Sequence, residues 1–228
     1  MNGNRRDGQE TRKRLLEAAI AAFAEKGFHH AKTAEICNMA NANVAAVNYH
    51  FGTKENLYIE AWRHAFERSI ELYPPGSNVP LTAPAEERLR GHVLSTIRRI
   101  MDPESMDFDI VHHEMGHPTG LLAEVMRRSL EPLHQQFAAV VHELLGENAS
   151  EQQVELCVMS IHAQCFWPLI HERNSARMPD GEKPPGPTIE DIGIETMVDH
   201  IMNFSLGGLG RIKDNHKYCN RVRASGDV

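Results

Sequence analysis

The sequence predicts an all-α protein with a small N-terminal helical domain and a larger helical body. Three observations favour this class. Apolar residues recur at helical spacing along most of the chain, two proline-rich stretches (73–84 and 174–187) separate the helical segments, and no convincing strand pattern is present. With 228 residues, 41% of them hydrophobic, the chain can bury a substantial core.

The first predicted helix begins at Thr11, a suitable N-cap residue, and ends at Gly27. Its apolar stripe consists of Leu16, Ala19, Ile20 and Phe23. A second, short helix opens near Thr33, which we expect to cap it.

A third short helix is predicted at about 44–51, after a tight turn. Asn41-Ala42-Asn43 supplies this turn, because asparagine tolerates left-handed backbone. Val47 and Phe51 are four residues apart, so they lie on one face and should point inward. Gly52 ends the helix. The arrangement of two short helices joined by a tight turn predicts a helix-turn-helix.

The remaining elements are helices of a connecting segment and a body. Thr53 caps a fourth helix to about residue 72, and Ser150 with Gln153 forms a capping box. Pro132 should kink or divide its helix, and Thr188 with Asp191 opens the last one. The predicted body helices are 85–102, 105–116, 120–145, 150–173 and 188–207, the last ending near Gly207-Gly208.

These elements predict four regions of the chain. Residues 1–52 form the helix-turn-helix domain and 53–73 the connecting helix. Residues 74–210 form a domain for ligand binding and dimerisation, and 211–228 form a flexible tail.

Composition limits the classes of protein. No apolar run approaches the roughly 18–20 residues that a membrane span needs, and the start of the chain lacks the apolar stretch of a secretory signal. The four cysteines show no close pairing, so reduced thiols and a cytoplasmic location are expected. No cofactor is expected.

Charge is distributed unevenly. Residues 1–68 contain ten Lys and Arg against eight Asp and Glu, whereas the rest contains 14 against 23. A mildly basic head on an acidic body is typical of a small DNA-binding module joined to another domain.

In a helix-turn-helix the second helix enters the major groove. Asn48 could bond adenine bidentately, small Ala45 and Ala46 permit close approach, and Tyr49 could bond phosphate. The predicted DNA-binding residues are Thr33, Asn43, Ala45, Ala46, Asn48, Tyr49, His50 and Lys54. From spacing alone, a plain helical core with a solvated polar face remains the alternative.

The run TAEICNMANANVAAVNYHFGTKENLY (33–58), with Thr11–Phe28 before it, resembles the tetracycline-repressor (TetR) family of transcription regulators. The most specific match is VNYHFGTKENL, and the resemblance covers roughly 11–70. It implies a homodimer with two DNA-binding heads, a pseudo-palindromic operator, and repression released by a small molecule. Asn48 and Ala45-Ala46 depart from the usual family residues, which bears on the DNA sequence recognised.

The body contains the pattern His113-Glu114-x-x-His117, which matches the zinc-hydrolase signature H-E-x-x-H. Gly116 and Pro118 end the helix where the second ligand must be held, so a zinc-dependent hydrolase is an unfavourable alternative. EMGHPTG (114–120) instead resembles the CecR-type subgroup of the TetR family. A metal- or thiol-responsive regulator is the other alternative, and its candidate residues are His112, His113, His117, Cys157, His162 and Cys165.

An effector cavity is expected between helices of the body. Its candidate wall residues are Phe108, Met115, Leu122, Met126, Phe137, Phe166 and Trp167, although a Met and aromatic stripe is also typical of ordinary core. The dimer is expected to form through helices 150–173 and 188–207. Its candidate residues are Leu156, Met159, Ile161, Met197, Ile201 and Phe204, unless they pack only within the monomer.

The sequence therefore predicts a homodimeric DNA-binding transcription regulator and no enzyme. A helical interaction protein whose head has lost DNA binding is a further alternative. The effector, the operator sequence and the regulated genes stay open at this stage.

Overall fold

The computed structural model describes the backbone of residues 3–175 and 189–225, and the side chains of residues 7–167 and 191–214. Within these ranges all regular structure is helical, as the sequence predicts. The helices are Gly3–His30 (α1), Thr33–Met39 (α2), Val44–Phe51 (α3), Lys54–Leu72 (α4), Ala85–Met101 (α5), Asp107–Gly116 (α6), Ala123–Leu145 (α7), Glu151–Ser175 (α8), Ile189–Ile192 (α9) and Ile194–Ser225 (α10). A 3₁₀ turn, Pro75–Asn78, precedes α5.

The chain divides into two compact units. The first contains the chain up to Leu72 together with Asp102–Leu130, and the second contains Tyr73–Met101 and the chain from Glu131 onward. The segment 102–130 thus packs with the N-terminal helices, whereas the predicted domain limits place it in the body. The compact units are defined by packing alone and not by function, so the four predicted regions stay a prediction.

The first unit is held together by the inward faces of α1 and α4. Leu15, Phe23, Tyr58 and Trp62 are almost completely buried, and the rings of Phe23 and Tyr58 meet edge to face at 4.8 Å. Leu15 and Phe23 are eight residues apart and Tyr58 and Trp62 four, so each pair lies on one helical face. Of the predicted stripe of α1, Leu16, Ala19 and Phe23 are buried, whereas Ile20 is half-buried.

The second unit is built on α5, α7, α8 and α10. Leu89, Val93 and Ile97 of α5 are buried against residues of the other helices, including Val158 and Val198. Among the described helices, none combines the length and apolar character of a membrane span.

The capping residues of two helices are confirmed. Ser150 and Gln153 form the reciprocal bonds of a capping box at the start of α8: the Ser150 N–H donates to Gln153 Oε1 at 2.9 Å, and the Gln153 N–H donates to Ser150 Oγ at 3.3 Å. Thr53 Oγ1 accepts a bond from the Asn56 N–H at the start of α4.

The first helix begins earlier than predicted. Thr11 lies inside α1, where its hydroxyl donates to the Asp7 carbonyl four residues back at 2.8 Å. A threonine inside a helix makes this bond, so the N-cap assignment was wrong. Gly27 does interrupt the helix, at φ 68° and ψ 176°, and the side chain of His113 lies 3.1 Å from where a β-carbon would be.

Two later helices are more continuous than predicted. Pro132 lies inside α7 and does not divide it, while the predicted kink stays a prediction; α10 continues through Gly207-Gly208 to Ser225. Leu209 is buried and Ile212 packs on the same core, so packing beyond the glycines keeps the helix intact where a tail was predicted. Gly193, at φ 81°, separates α9 from α10, while Thr188 and residues 176–187 of the predicted loop lie outside the described residues.

Candidate nucleic-acid interface

The turn between α2 and α3 has the geometry of a helix-turn-helix. Ile36 and Cys37 of α2 are buried, and the Ala42 N–H donates to the Cys37 carbonyl at 2.9 Å. Asn41 adopts the left-handed conformation, φ 47°, which asparagine tolerates better than most residues. The predicted turn is therefore confirmed at the residue on which it depends.

Both ends of α3 are fixed by local hydrogen bonds. Asn43 Oδ1 accepts from the Ala46 N–H at 2.9 Å at the start of the helix. At its end, Gly52 has φ 77° and its N–H donates to the Asn48 carbonyl at 3.1 Å. Val47 and Phe51 are 1% and 7% exposed, so the rotation of α3 about its axis is fixed by burial.

Burial of Val47 and Phe51 leaves one face of α3 exposed. This recognition face consists of Val44, Ala45, Asn48 and Tyr49, with Tyr49 83% exposed. The spacing i, i+1, i+4, i+5 places these four side chains side by side. Small and polar groups on a short, capped helix are suited to a DNA groove.

Three of the predicted DNA-contact residues, Asn43, Ala46 and His50, lie outside the recognition face. Asn43 is exposed, but its side-chain oxygen is used as the N-cap of α3. Ala46 and His50 are half-buried, at the flanks of the recognition face. Val44 is 48% exposed and is not among the predicted contact residues; its position relative to Val47 and Phe51 on a helical wheel is the signal that places it on the exposed side.

Thr33 and Lys54 lie at the edges of the motif. Thr33 is the first residue of α2, and Lys32 occupies the N-cap position, so the capping role assigned to Thr33 was wrong. Lys54 Nζ donates to the Phe28 carbonyl at 2.5 Å and lies 4.4 Å from the centre of the Phe28 ring. Burial lowers the pKa of Lys54. Lys54 therefore ties the start of α4 to the end of α1.

Glu114 joins α6 to the following turn and to α4. Its Oε1 accepts bonds from the Thr119 N–H and the Gly120 N–H, each at 2.9 Å. The Thr119 hydroxyl lies within bonding distance of both oxygens, 2.9 Å from Oε1 and 3.0 Å from Oε2. The Tyr58 hydroxyl donates to Glu114 Oε2 at 3.1 Å, and burial, followed by the charge of Glu114, raises the pKa of Tyr58. This arrangement gives Glu114 a structural role.

The H-E-x-x-H pattern does not form a zinc site of the hydrolase type. α6 ends at Gly116, and His117 has φ −139° and ψ 75°, so the second His of the pattern lies outside the helix on which the signature requires both. The Glu114 oxygens are already occupied by hydrogen bonds. The hydrolase alternative was therefore wrong.

We expect Glu114→Gln to lower the free energy of unfolding by about 1–3 kcal/mol, because an amide cannot accept all the bonds that the carboxylate accepts. Urea denaturation measures the change. Glu124→Gln is the matched control, since the Glu124 carboxylate is exposed and pairs with Arg127 and Arg128. Equal effects of the two substitutions would contradict the structural role.

Two family models match the chain. Residues 15–61 match "Bacterial regulatory proteins, tetR family", which includes α2, α3 and the start of α4. Residues 85–209, more than half of the chain, match the C-terminal domain of the "HTH-type transcriptional dual regulator CecR".

The chain belongs to the TetR family. Among relatives of this CecR-like TetR-family regulator, CecR of Shigella flexneri is 26% identical over 159 residues, 65% of this chain and 71% of CecR. The regulator TcmR of Streptomyces glaucescens is 29% identical over 131 residues, 54% of this chain and 55% of TcmR. These relatives are transcription regulators and not enzymes, and this protein is accordingly a DNA-binding transcription regulator.

A solved structure supports the fold. A TetR-like transcriptional regulator from Rhodococcus sp. RHA1 superposes with a TM-score of 0.64 at 16% identity, covering 88% of this chain and 96% of that one. The all-α arrangement with an N-terminal helix-turn-helix is therefore confirmed. TetR-family regulators bind DNA operators and small-molecule effectors, typically as dimers.

The residues considered for metal or thiol sensing do not assemble into a site. His162 stacks on Phe137 at 4.6 Å, and burial lowers the pKa of His162 to about 4. Cys165 is 1% exposed, and burial raises its pKa to about 12. Cys157 is also buried. Among the residues with described side chains, no three His, Cys, Asp or Glu groups are placed to hold a metal ion.

The seven candidate effector residues are divided between the two compact units. Phe108, Leu122 and Phe137 are buried, and Phe137 belongs to the core of the second unit. Met115 is 76% and Trp167 65% exposed, while Met126 and Phe166 are half-buried. Their role in effector binding stays a prediction.

The candidate dimer residues separate into two groups. Ile161 and Ile201 are 2% exposed and pack in the core of the second unit, with Met197 against it. Leu156, Met159 and Phe204 are 55%, 65% and 67% exposed. Only the second group is available to a partner subunit.

Proposed function

We propose that this TetR-family protein is a repressor that binds a pseudo-palindromic operator as a homodimer and is released by a small molecule. The observation that carries the proposal is the recognition face of α3, where Val44, Ala45, Asn48 and Tyr49 are exposed on a helix fixed at both ends. Such a face can enter the major groove without rearrangement. A bacterial regulator acts where the DNA is, so we propose a cytoplasmic location.

The proposed contacts follow from side-chain chemistry. Asn48 can pair with the N6 and N7 edge of adenine, and Val44 and Ala45 can contact a thymine methyl group. Tyr49 and His50 are proposed to bond phosphates, with Thr33 and Lys54 positioning the motif on the backbone. Asn43 and Ala46 contribute through the cap that orients α3.

We propose that the homodimer forms through α8 and α10, which correspond to the predicted helices 150–173 and 188–207. Leu156, Met159 and Trp167 recur at helical spacing along one side of α8, and Phe204 is exposed on α10. We call these four residues the α8–α10 face. Exposed large apolar residues in this number are typical of a protein interface, and the neighbouring Gly207-Gly208 allows close approach of helices.

The effector is proposed to act through residues 74–210, which include the region that matches the CecR C-terminal domain. A ligand shifts the population between two states only by its difference in affinity for them. The two states must differ in the spacing of the two heads, because half-sites lie about one helical turn apart.

Selection of bound duplexes from random oligonucleotides tests the proposal. We expect enrichment of an inverted repeat, and tighter binding of this repeat than of a scrambled duplex by about 10³-fold or more at physiological salt. Failure to enrich any sequence at low ionic strength would contradict DNA recognition by α3.

We expect Asn48→Ala to relax the sequence preference at one position of each half-site, at a cost of about 1–3 kcal/mol. Asn43→Ala is the matched control, because it removes the cap of α3 and should weaken all sequences alike, by about 1 kcal/mol of helix stability. Fluorescence anisotropy with the selected operator and its single-base variants measures both. If Asn48→Ala keeps the preference intact, that base contact is wrong.

We expect Lys54→Ala to weaken binding to all sequences alike. The slope of the logarithm of the binding constant against the logarithm of the salt concentration should become less steep by about one. The stability of the head should also fall, because the bond from Lys54 to the Phe28 carbonyl is lost. Titrations at several salt concentrations, with urea denaturation in parallel, separate these effects. An unchanged salt slope together with lower stability would leave Lys54 only its structural role.

A further inference from the structure

A partly open cavity of about 120 Å³ lies in the second compact unit, between the segment before α5, α5 itself and α7. Its walls are mainly apolar and include Val79, Leu81 and Val140, while Arg88, His92 and Gln136 supply polar groups. A concave, mostly apolar site with a few polar groups is typical of small-molecule binding. The residues that line the cavity include none of the seven effector residues predicted from the sequence. Phe137 lies behind one wall, where its ring contacts His92.

One wall is a strap formed by residues 75–81, which is held tightly on α5. Gly76, Ser77 and Asn78 have φ of 76°, 52° and 61°, and the Ser77 hydroxyl donates to the Gly91 carbonyl at 3.1 Å. Glycine adopts this conformation freely, but left-handed backbone at the successive residues Ser77 and Asn78 is costly, so the contacts with α5 must over-determine the strap. The cavity beneath it therefore has a preformed wall.

Leu81 lies at the other end of the strap and is 87% exposed. It also lines the cavity. An apolar side chain at the rim gains burial when a ligand with an apolar body occupies the cavity. The occupant should therefore be apolar along most of its length.

Arg88 is the cationic group of the cavity, and its ion pair with Glu143 leaves part of the guanidinium for a ligand. Its side chain is 14% exposed, its Nε donates to the Ala83 carbonyl at 3.0 Å, and its Nη2 bonds Glu143. These partners fix the plane of the guanidinium, and no hydrogen bond among the described residues uses its Nη1. A guanidinium held in this way is well suited to a carboxylate.

His92 supplies a second donor beside Arg88. Its ring meets Phe137 edge to face at 5.4 Å, and its Nε2 lies 3.8 Å from where a β-carbon on Gly76 would be. Burial, followed by the charge of Arg88, lowers the pKa of His92. The ring is therefore neutral at pH 7 and offers one N–H donor.

We propose that this cavity binds a small monocarboxylate with an apolar body, about the size of one aromatic ring. The carboxylate is held by Arg88 and His92, and the body packs against Val79, Leu81 and Val140. An apolar cavity of about 150 Å³ holds benzene, so a pocket of about 120 Å³ admits at most one ring, and the carboxylate lies at its open side, toward the polar groups. The assignment of this cavity as the effector site rests on the proposed function. The binding of a carboxylate to the cavity can be tested without DNA.

Isothermal titration calorimetry of the full chain with benzoate tests the site, with benzamide as the neutral probe of equal shape. We expect saturable benzoate binding and at least about tenfold weaker binding of benzamide, since the charge is recognised by Arg88. Arg88→Gln should weaken benzoate binding by at least about tenfold. Arg98→Gln is the matched control, because Arg98 lies on the same helix and pairs with Glu195.

Gln136→Trp gives a second variant that leaves the buried residues in place. Gln136 is exposed and lines the cavity, so a tryptophan there should block the site and abolish benzoate binding even if Arg88→Gln fails to fold. No saturable binding up to about 10 mM, a weak affinity by any standard, would overturn the proposal. Binding that benzamide matches, or that Gln136→Trp leaves unchanged, would overturn it as well.

The operator titration is independent of this measurement. If the wild-type protein binds benzoate as described but no operator, the proposed function fails and the site stands. If it binds its operator but not benzoate, the site fails and the proposed function stands.

Discussion

Phe204→Arg is expected to convert the dimer into monomers and to weaken operator binding by at least about 100-fold, because the second head then binds as a separate molecule. Phe204 is 67% exposed on α10. In the proposed dimer it is buried against the partner, where an arginine would place an uncompensated charge. In the monomer the substitution replaces an exposed apolar side chain, so the fold should be retained.

Sedimentation velocity measures the mass of the variant, and fluorescence anisotropy measures its operator affinity. Leu72→Arg is the matched control: Leu72 is 55% exposed, is also a large apolar residue, and lies at the end of α4. The control should remain dimeric. A dimeric Phe204→Arg protein that binds the operator like Leu72→Arg would contradict the α8–α10 face as the dimer interface.

Gly91→Ala is expected to destabilise the protein by about 1–3 kcal/mol, through overpacking. A β-carbon at Gly91 would lie 2.3 Å from the Gly76 carbonyl oxygen and 2.9 Å from Val79 Cγ2. The first contact is with backbone, so it cannot be relieved by a side-chain rotation. Helix propensity acts in the opposite direction, because alanine is favoured over glycine by about 1 kcal/mol. A net loss of stability therefore means that the close contact outweighs the gain in propensity.

Gly210→Ala is the control that isolates propensity. Gly210 lies inside α10, and a β-carbon there meets no atom within 4 Å. This substitution should be neutral or stabilise by up to about 1 kcal/mol. Thermal and urea denaturation compare the two variants. If Gly91→Ala is as stable as Gly210→Ala, the strap does not pack on α5 as the structure shows.

Local signals in the sequence predicted the helix-turn-helix well. The Asn41 turn, the Val47 and Phe51 pair and the Ser150–Gln153 capping box depend on residues close together in the chain, so spacing alone identifies them. Apolar stripes likewise located the core faces of α1 and α5. These features are confirmed because local propensity and tertiary packing agree there.

Other features depend on contacts between distant segments and could not be predicted. Lys54 bonds the Phe28 carbonyl 26 residues away, and Glu114 bonds Tyr58 56 residues away, so neither role has a spacing signature. The continuation of α10 past Gly207-Gly208 depends on Leu209 packing in the core. Ile161 and Ile201 have the same periodicity as the exposed residues beside them, and only the packed structure separates core from interface.

The proposed DNA recognition requires that a two-fold symmetric dimer presents α3 to the DNA twice. Hydroxyl-radical footprinting of the complex on the selected operator, with the stoichiometry measured on the same sample, tests this directly. We expect two symmetric protected regions about one helical turn (34–36 Å) apart, with two subunits on each duplex. A single protected region occupied by one subunit would contradict it.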